Sequence, residues 1–216
     1  MRHILATVLV ASLASHTAVA QPCDTFRDAK GRSTIDFAPP PGFIDVCSRD
    51  VLLCTVLTQG YPPSVTTVAY FVTVEDWQRY QHGERKGFSQ YLIAQLARTM
   101  SSDKFAEIKK YIHDQAGQIP DHTELPPPLV NKGNVPLGII DETDDSISFG
   151  NITKLEPEGA SSGSSFLQAS INIALQMKGQ TLSLYVFEDL ADISDASRAK
   201  ALSRRWLACI KSRNSQ

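Results

Sequence analysis

The stretch "FLQASINIALQMKGQTLSLYVFE", residues 166–188, constrains the fold more than any other part of the chain. Leu167, Ala169, Ile171, Ile173, Leu175 and Met177 alternate with Gln168, Ser170, Asn172, Ala174 and Gln176. After Lys178-Gly179 the alternation resumes, with Leu182, Leu184 and Val186 set against Ser183, Tyr185 and Phe187. Successive side chains of a strand point to opposite faces, and a two-residue turn containing Gly joins antiparallel neighbours. The pattern predicts a β-hairpin with one buried face.

Turn signals and propensities place other elements around this hairpin. "FIDVC" (43–47) and the β-branched, aromatic run at 65–74 read as strands. "VPLGIID" (135–141) and "SISFGNITKL" (146–155) read as two more, joined by the acidic turn "ETDD". Helices are expected over 48–60, capped by Ser48 and closed by Gly60, and over 75–81. A third is expected over 88–100, where Leu92, Leu96 and Met100 recur every four residues. Phe105, Ile108 and Ile112 predict another over 102–117. The last spans 194–211, with Ser194 as N-cap and Ala199, Leu202, Trp206, Cys209 and Ile210 facing inward. Its Arg198, Arg204, Arg205 and Lys211 read as a solvated basic face. The proline-rich segment 117–134 reads as a long loop, and "EPEGASSGSS" as a flexible connection. Four successive strands in the C-terminal half imply the α+β class: an antiparallel β-sheet with helices packed on its faces. One domain is expected over 41–213, behind an extended lead-in at 21–40.

Residues 1–20 read as a cleaved signal peptide. Arg2 and His3 precede an apolar run from Ile4 to Leu13, and Ala18-Val19-Ala20 supplies the small residues before a cut. The expected cleavage lies between Ala20 and Gln21. Gln21-Pro22 separates Cys23 from that site, which disfavours a lipid anchor. The expected location is periplasmic or secreted, with no later membrane span, since a spanning helix needs about 20 apolar residues.

Cys23, Cys47, Cys54 and Cys209 all follow the signal, and an even count in an exported chain predicts two disulfides. Four cysteines allow three pairings. A continuous helix from Ser48 would put Cys54 about 9 Å along its axis at 1.5 Å per residue. A bridge needs Cα atoms within about 7 Å, so Cys47–Cys54 is disfavoured. The expected pairing is Cys23–Cys47 with Cys54–Cys209, buried free thiols being the alternative.

Composition narrows the function. The formal charge is −2, and no basic stripe interleaves with aromatics, so a nucleic-acid partner is not expected. "GASSGSS" (159–165) lacks the strand-to-helix setting of a serine nucleophile. His82, His113 and His122 read as surface residues. No phosphate-cradling glycine motif occurs. Asp141, Glu142, Asp144 and Asp145 are rich in oxygen but lack calcium-loop spacing. No catalytic residue, metal or cofactor is expected. Asn151-Ile152-Thr153 matches a glycosylation triplet.

"FAPPPGFIDV", "VAYFVTVEDWQRY", "VPLGIIDETDDSISFG" and "MKGQTLSLYVFE", followed by a Trp-containing terminal helix, occur in that order over residues 37–212. This order resembles exported bacterial proteins with the Mog1/PsbP-like α+β sandwich. The resemblance implies binding and assembly roles more than catalysis. The expectation is thus an exported, non-enzymatic binding protein, inhibitor or immunity-like, that engages another envelope or secreted protein. Tyr61, Trp77, Tyr80 and His122 are its candidate contact residues. The alternatives are an envelope-polymer hydrolase and an accessory factor for envelope assembly or stress tolerance.

Overall fold

The structure, a computed structural model, describes residues 23–26, 31, 33–84, 87–101, 104–116, 129–157, 159 and 165–215. The signal segment with its cleavage site, His122, and residues 117–128 of the proline-rich segment lie outside the described residues. In chain order the elements are β1 (Phe43–Asp45), α1 (Val46–Arg49), α2 (Val51–Thr58), β2 (Val65–Thr73), α3 (Val74–Gln81), β3 (Gln90–Ser101) and α4 (Phe105–Gln115). They continue with β4 (Leu129–Glu142), β5 (Ser146–Pro157), β6 (Phe166–Met177), β7 (Gln180–Leu190) and α5 (Ala196–Asn214).

The strands form one seven-stranded sheet in the order β1-β2-β3-β7-β6-β5-β4. Every pairing is antiparallel. This is the α+β architecture that the succession of strands implied. One meander, β1 to β3, meets a second, β4 to β7, where Leu92 pairs with Val186. The β6–β7 turn has Lys178 at φ 48° and Gly179 at φ 74°. Two left-handed residues suit the right-handed twist of the flanking strands.

The segment 88–100 is not helical. Gln90–Ser101 is β3, a central strand between β2 and β7. Four is a multiple of two, so the spacing of Leu92 and Leu96 that suggested one helix face also puts both on one strand face. Ala94 lies between them on that face, while Ile93 and the buried Gln95 point the other way. A strand covered on both faces loses its polar alternation. The expected strand 43–47 stops at Asp45, and the expected loop 117–134 gives way to β4 from Leu129.

One sheet face carries the main core. Phe71, Leu92, Ile171, Ile173, Leu175, Leu184 and Val186 pack beneath α5 and the segment holding Ile35 and Phe37. Trp206 is fully buried there, and its Nε1 donates to the Phe37 carbonyl at 3.4 Å. The inward stripe expected on the terminal helix is found: Ala199, Leu202, Trp206, Cys209 and Ile210 are all buried. The helix itself begins two residues late, because Asp192 rather than Ser194 caps the 3₁₀ turn Ile193–Asp195 before it. The basic face is not merely solvated. Arg204 pairs with Asp141 at 2.7 Å, Lys211 with Asp145 at 2.6 Å and Arg213 with Asp36 at 3.1 Å.

Both disulfides differ from the expected pairing. Cys23 bonds Cys209, and Cys47 bonds Cys54. The predicted continuous helix over 48–60 breaks at Asp50, which is extended (φ −143°, ψ 98°). Asp45 caps α1 and Asp50 caps α2, while Ser48, the expected cap, donates to the Asp45 carbonyl. The break folds α1 against α2 and brings the Cys47 and Cys54 Cα atoms to 4.8 Å. The helical rise that argued against this bridge does not run through Asp50.

Candidate docking face and charged cleft

The opposite sheet face carries a smaller cluster: Val46, Tyr70, Val72 and Ile93, covered by α1, α2 and α3. Leu53 and Leu57 turn inward from α2 onto it. The outer arc of the same helix is also apolar. Val51, Leu52 and Val56 are 63%, 81% and 59% exposed. The helix carries no charged side chain, and none of its residues is buried. Burying a Leu or Val side chain is worth about 1.5–3 kcal/mol, so these three represent several kcal/mol of unused apolar surface. Leu52 and Val56 are four apart and share one side of the helix. The Asp50 side chain accepts from Leu53 N at 2.9 Å, and the disulfide ties the helix to α1. The outer arc is therefore presented on a clamped frame.

The residues expected to make contacts take varied positions. Tyr61 follows α2, and its amide donates to the Thr58 carbonyl at 3.3 Å. Its phenol is pushed above the usual range by burial and by the neighbouring Tyr185. Trp77 and Tyr80 on α3 are half-buried and stack on each other at 5.7 Å. Tyr80 also leans on Phe88 at 5.6 Å, and Trp77 packs on the smaller cluster. Tyr91 stacks on Tyr70 at 5.5 Å and on Phe187 at 4.6 Å. These rings tie α3 to the sheet, so Trp77 and Tyr80 are packed against their own fold, whereas Tyr61 is 36% exposed beside α2.

Sequence reasoning missed Val51, Leu52 and Val56. The signal was available: "VLLCTVLT" is apolar on every side, whereas a surface helix ordinarily shows a polar outer face.

A second feature lies where α3, β3, β7 and α5 meet. It is a cleft of about 290 Å³ lined by Thr73, Glu75, Asp76, Arg79, Ser89, Gln90, Glu188, Asp189 and Arg198. Asp76 is 1% exposed and accepts from Ser89 N at 2.7 Å, Ser89 Oγ at 2.8 Å and Gln90 N at 3.1 Å. These bonds moor α3 to the start of β3. Glu188 is 6% exposed, and Arg198 Nε donates to its Oε1 at 3.1 Å. Its Oε2 is buried without a hydrogen-bond partner. Burial raises the Glu188 carboxyl above the usual range, against the lowering pull of Gln90 and Arg198.

The acidic turn after β4 is occupied by the protein's own cations. Lys109 lies 3.0 Å and His113 2.8 Å from Glu142, and Lys211 pairs with Asp145. The hydrogen bond from Lys109, then that with His113, lowers the Glu142 carboxyl below the usual range. Among the described residues no three His, Cys, Asp or Glu side chains gather to hold a metal ion. The Asn151 amide donates to Thr153 Oγ1 at 2.7 Å within a paired strand, which ties up the glycosylation triplet.

No family model matches the chain, and no curated protein matches it. Among solved structures the chain is similar to the Saccharomyces cerevisiae Ran-binding protein Mog1p, with 11% identity and a TM-score of 0.44, covering 88% of this chain and 94% of that one. A Mog1 point mutant gives 13% identity with the same coverage and TM-score. The α+β assignment here rests on the sheet's own order and register. The described residues contain two disulfides and no free cysteine, as expected of a chain matured in an oxidising compartment. Among the described residues, no helix is long and apolar enough to cross a membrane.

Proposed function

We propose that this chain is an exported binding protein, inhibitor or immunity-like, that engages a protein partner through the outer face of α2. The observation that carries this reading is the uncharged α2, clamped by Cys47–Cys54, with Val51, Leu52 and Val56 exposed. Three side chains are too few for a large permanent interface but suit anchors entering an apolar groove. A helix already fixed by a cap and a disulfide has less freedom to lose on binding. Release after Ala20 into the periplasm or beyond belongs to the same reading.

Hydrolysis is less well supported. Asp76 and Glu188 line one cleft, but both Asp76 oxygens are engaged by Ser89 and Gln90, and Glu188 is held by Arg198. With both oxygens held, Asp76 is not free to act as a base on water beside Glu188.

The test compares wild type with Leu52→Asp/Val56→Asp in partner capture from envelope extract, followed by mass spectrometry. A protein retained by wild type and lost by the variant, at an unchanged melting temperature, is the expected result. Equal recovery on both would refute the α2 assignment.

A further inference from the structure

The charged cleft goes beyond the docking face. We propose that it is a receptor for a small organic cation, a primary ammonium or guanidinium group, with Glu188 as its anchor.

The argument begins with the unpaired oxygen. An ionised carboxylate only accepts hydrogen bonds, and leaving a buried acceptor unmatched costs about 1–3 kcal/mol or more for a charged group. Glu188 is more than nine-tenths buried, and Oε2 has no partner. The surrounding charge favours a cation. Glu75, Asp76 and Asp189 line the same cleft, whereas its guanidiniums belong only to Arg79 and Arg198. Arg79 is already paired with Glu75. Arg198 reaches Glu188 through Nε alone and stretches 3.8 Å to Asp195, with its side chain 59% exposed. It holds one carboxylate oxygen from the solvent side and can swing away to admit a ligand.

The absence of any three-ligand cluster among the described residues disfavours a metal ion. An organic head group needs only two or three acceptors and room for its body, and about 290 Å³ provides that room. The raised Glu188 carboxyl fits the same picture, since its desolvation exceeds what the Gln90 hydrogen bond and Arg198 together offset. A bound cation favours the ionised form. Binding therefore releases a proton and tightens as pH rises through the carboxyl's range.

Calorimetric titration of the processed, disulfide-bonded chain tests this with three probes: agmatine, N-acetyl-arginyl-glycinamide and tetramethylammonium. The first two carry N–H donors, and the third is a cation without them. Saturable one-to-one binding of a guanidinium probe is expected, with none of tetramethylammonium. The tighter of the two guanidinium probes tells a free amine compound from an arginine side chain of a polypeptide. Glu188→Gln keeps the side chain's shape and is expected to weaken binding at least about tenfold, which is 1.4 kcal/mol. Arg198→Ala removes the internal competitor and is expected to tighten it. No saturable binding by wild type, unchanged affinity in Glu188→Gln, or weaker binding in Arg198→Ala would each overturn the proposal.

Discussion

Removing the two disulfides one at a time should reveal their different roles. Cys23–Cys209 joins residues 186 apart, and Cys47–Cys54 joins residues 7 apart. In the chain-entropy treatment, closing the long loop restricts the unfolded chain by about 5 kcal/mol and closing the short one by about 2.5 kcal/mol. The native surroundings widen the gap. Cys209 is 3% exposed and sits on the buried face of α5, so its bridge pins the lead-in segment to the main core. Cys47 and Cys54 are half-buried, and their bridge fixes α2 against α1. Cys23→Ala/Cys209→Ala should lose roughly twice the unfolding free energy lost by Cys47→Ala/Cys54→Ala in guanidinium titrations. Coincident fluorescence and circular dichroism transitions would license the comparison. An equal or larger loss in the short-bridge variant would refute the reasoning, because α2 would then belong to the cooperative core.

Two other outcomes follow from packing and charge. A Cβ added at Gly150 would lie 2.6 Å from the Ser170 carbonyl oxygen on paired β6, so Gly150→Ala should destabilise by about 1–3 kcal/mol in the same titrations. Glu188 gives a pH dependence of defined sign. Its folded carboxyl titrates above the usual value, so the native chain binds more protons in that window and stability falls as pH rises through it. Glu188→Gln should abolish that fall and leave the variant more stable than wild type near pH 7. Asp145 acts oppositely. Burial would raise its carboxyl, but hydrogen bonds from Lys211 and Thr143 outweigh that and lower it. Its contribution is lost only as pH drops through the lowered value. Melting temperatures from pH 3 to 8 for both proteins separate the two effects.

The sheet's second meander was largely legible in sequence. Alternation from Leu167 to Val186 depends only on one face being buried, and the Lys178-Gly179 turn fixes its register. The central strand β3 was not, because burial on both faces removes the polar half of the pattern and leaves Leu92 and Leu96 compatible with either period. The disulfide pairing was not legible for a local reason: a continuous helix through Asp50 sets Cys47 and Cys54 apart, whereas Asp competes with the backbone and here caps α2. Trp77 and Tyr80 stood out as aromatic contact candidates, but sequence could not show that they stack on each other and lean on Phe88 and the sheet. The Glu188 cleft was invisible, because it draws on α3, β3, β7 and α5, which are distant in sequence.

A photo-crosslinking side chain placed at Leu52 tests the docking face most directly, with the exposed Arg205 on the far helix α5 as control. Expressed in the native cell, the Leu52 probe should trap one discrete protein adduct that the Arg205 probe does not. Identical adduct patterns from the two positions, or none from Leu52, would contradict a partner-binding role for α2.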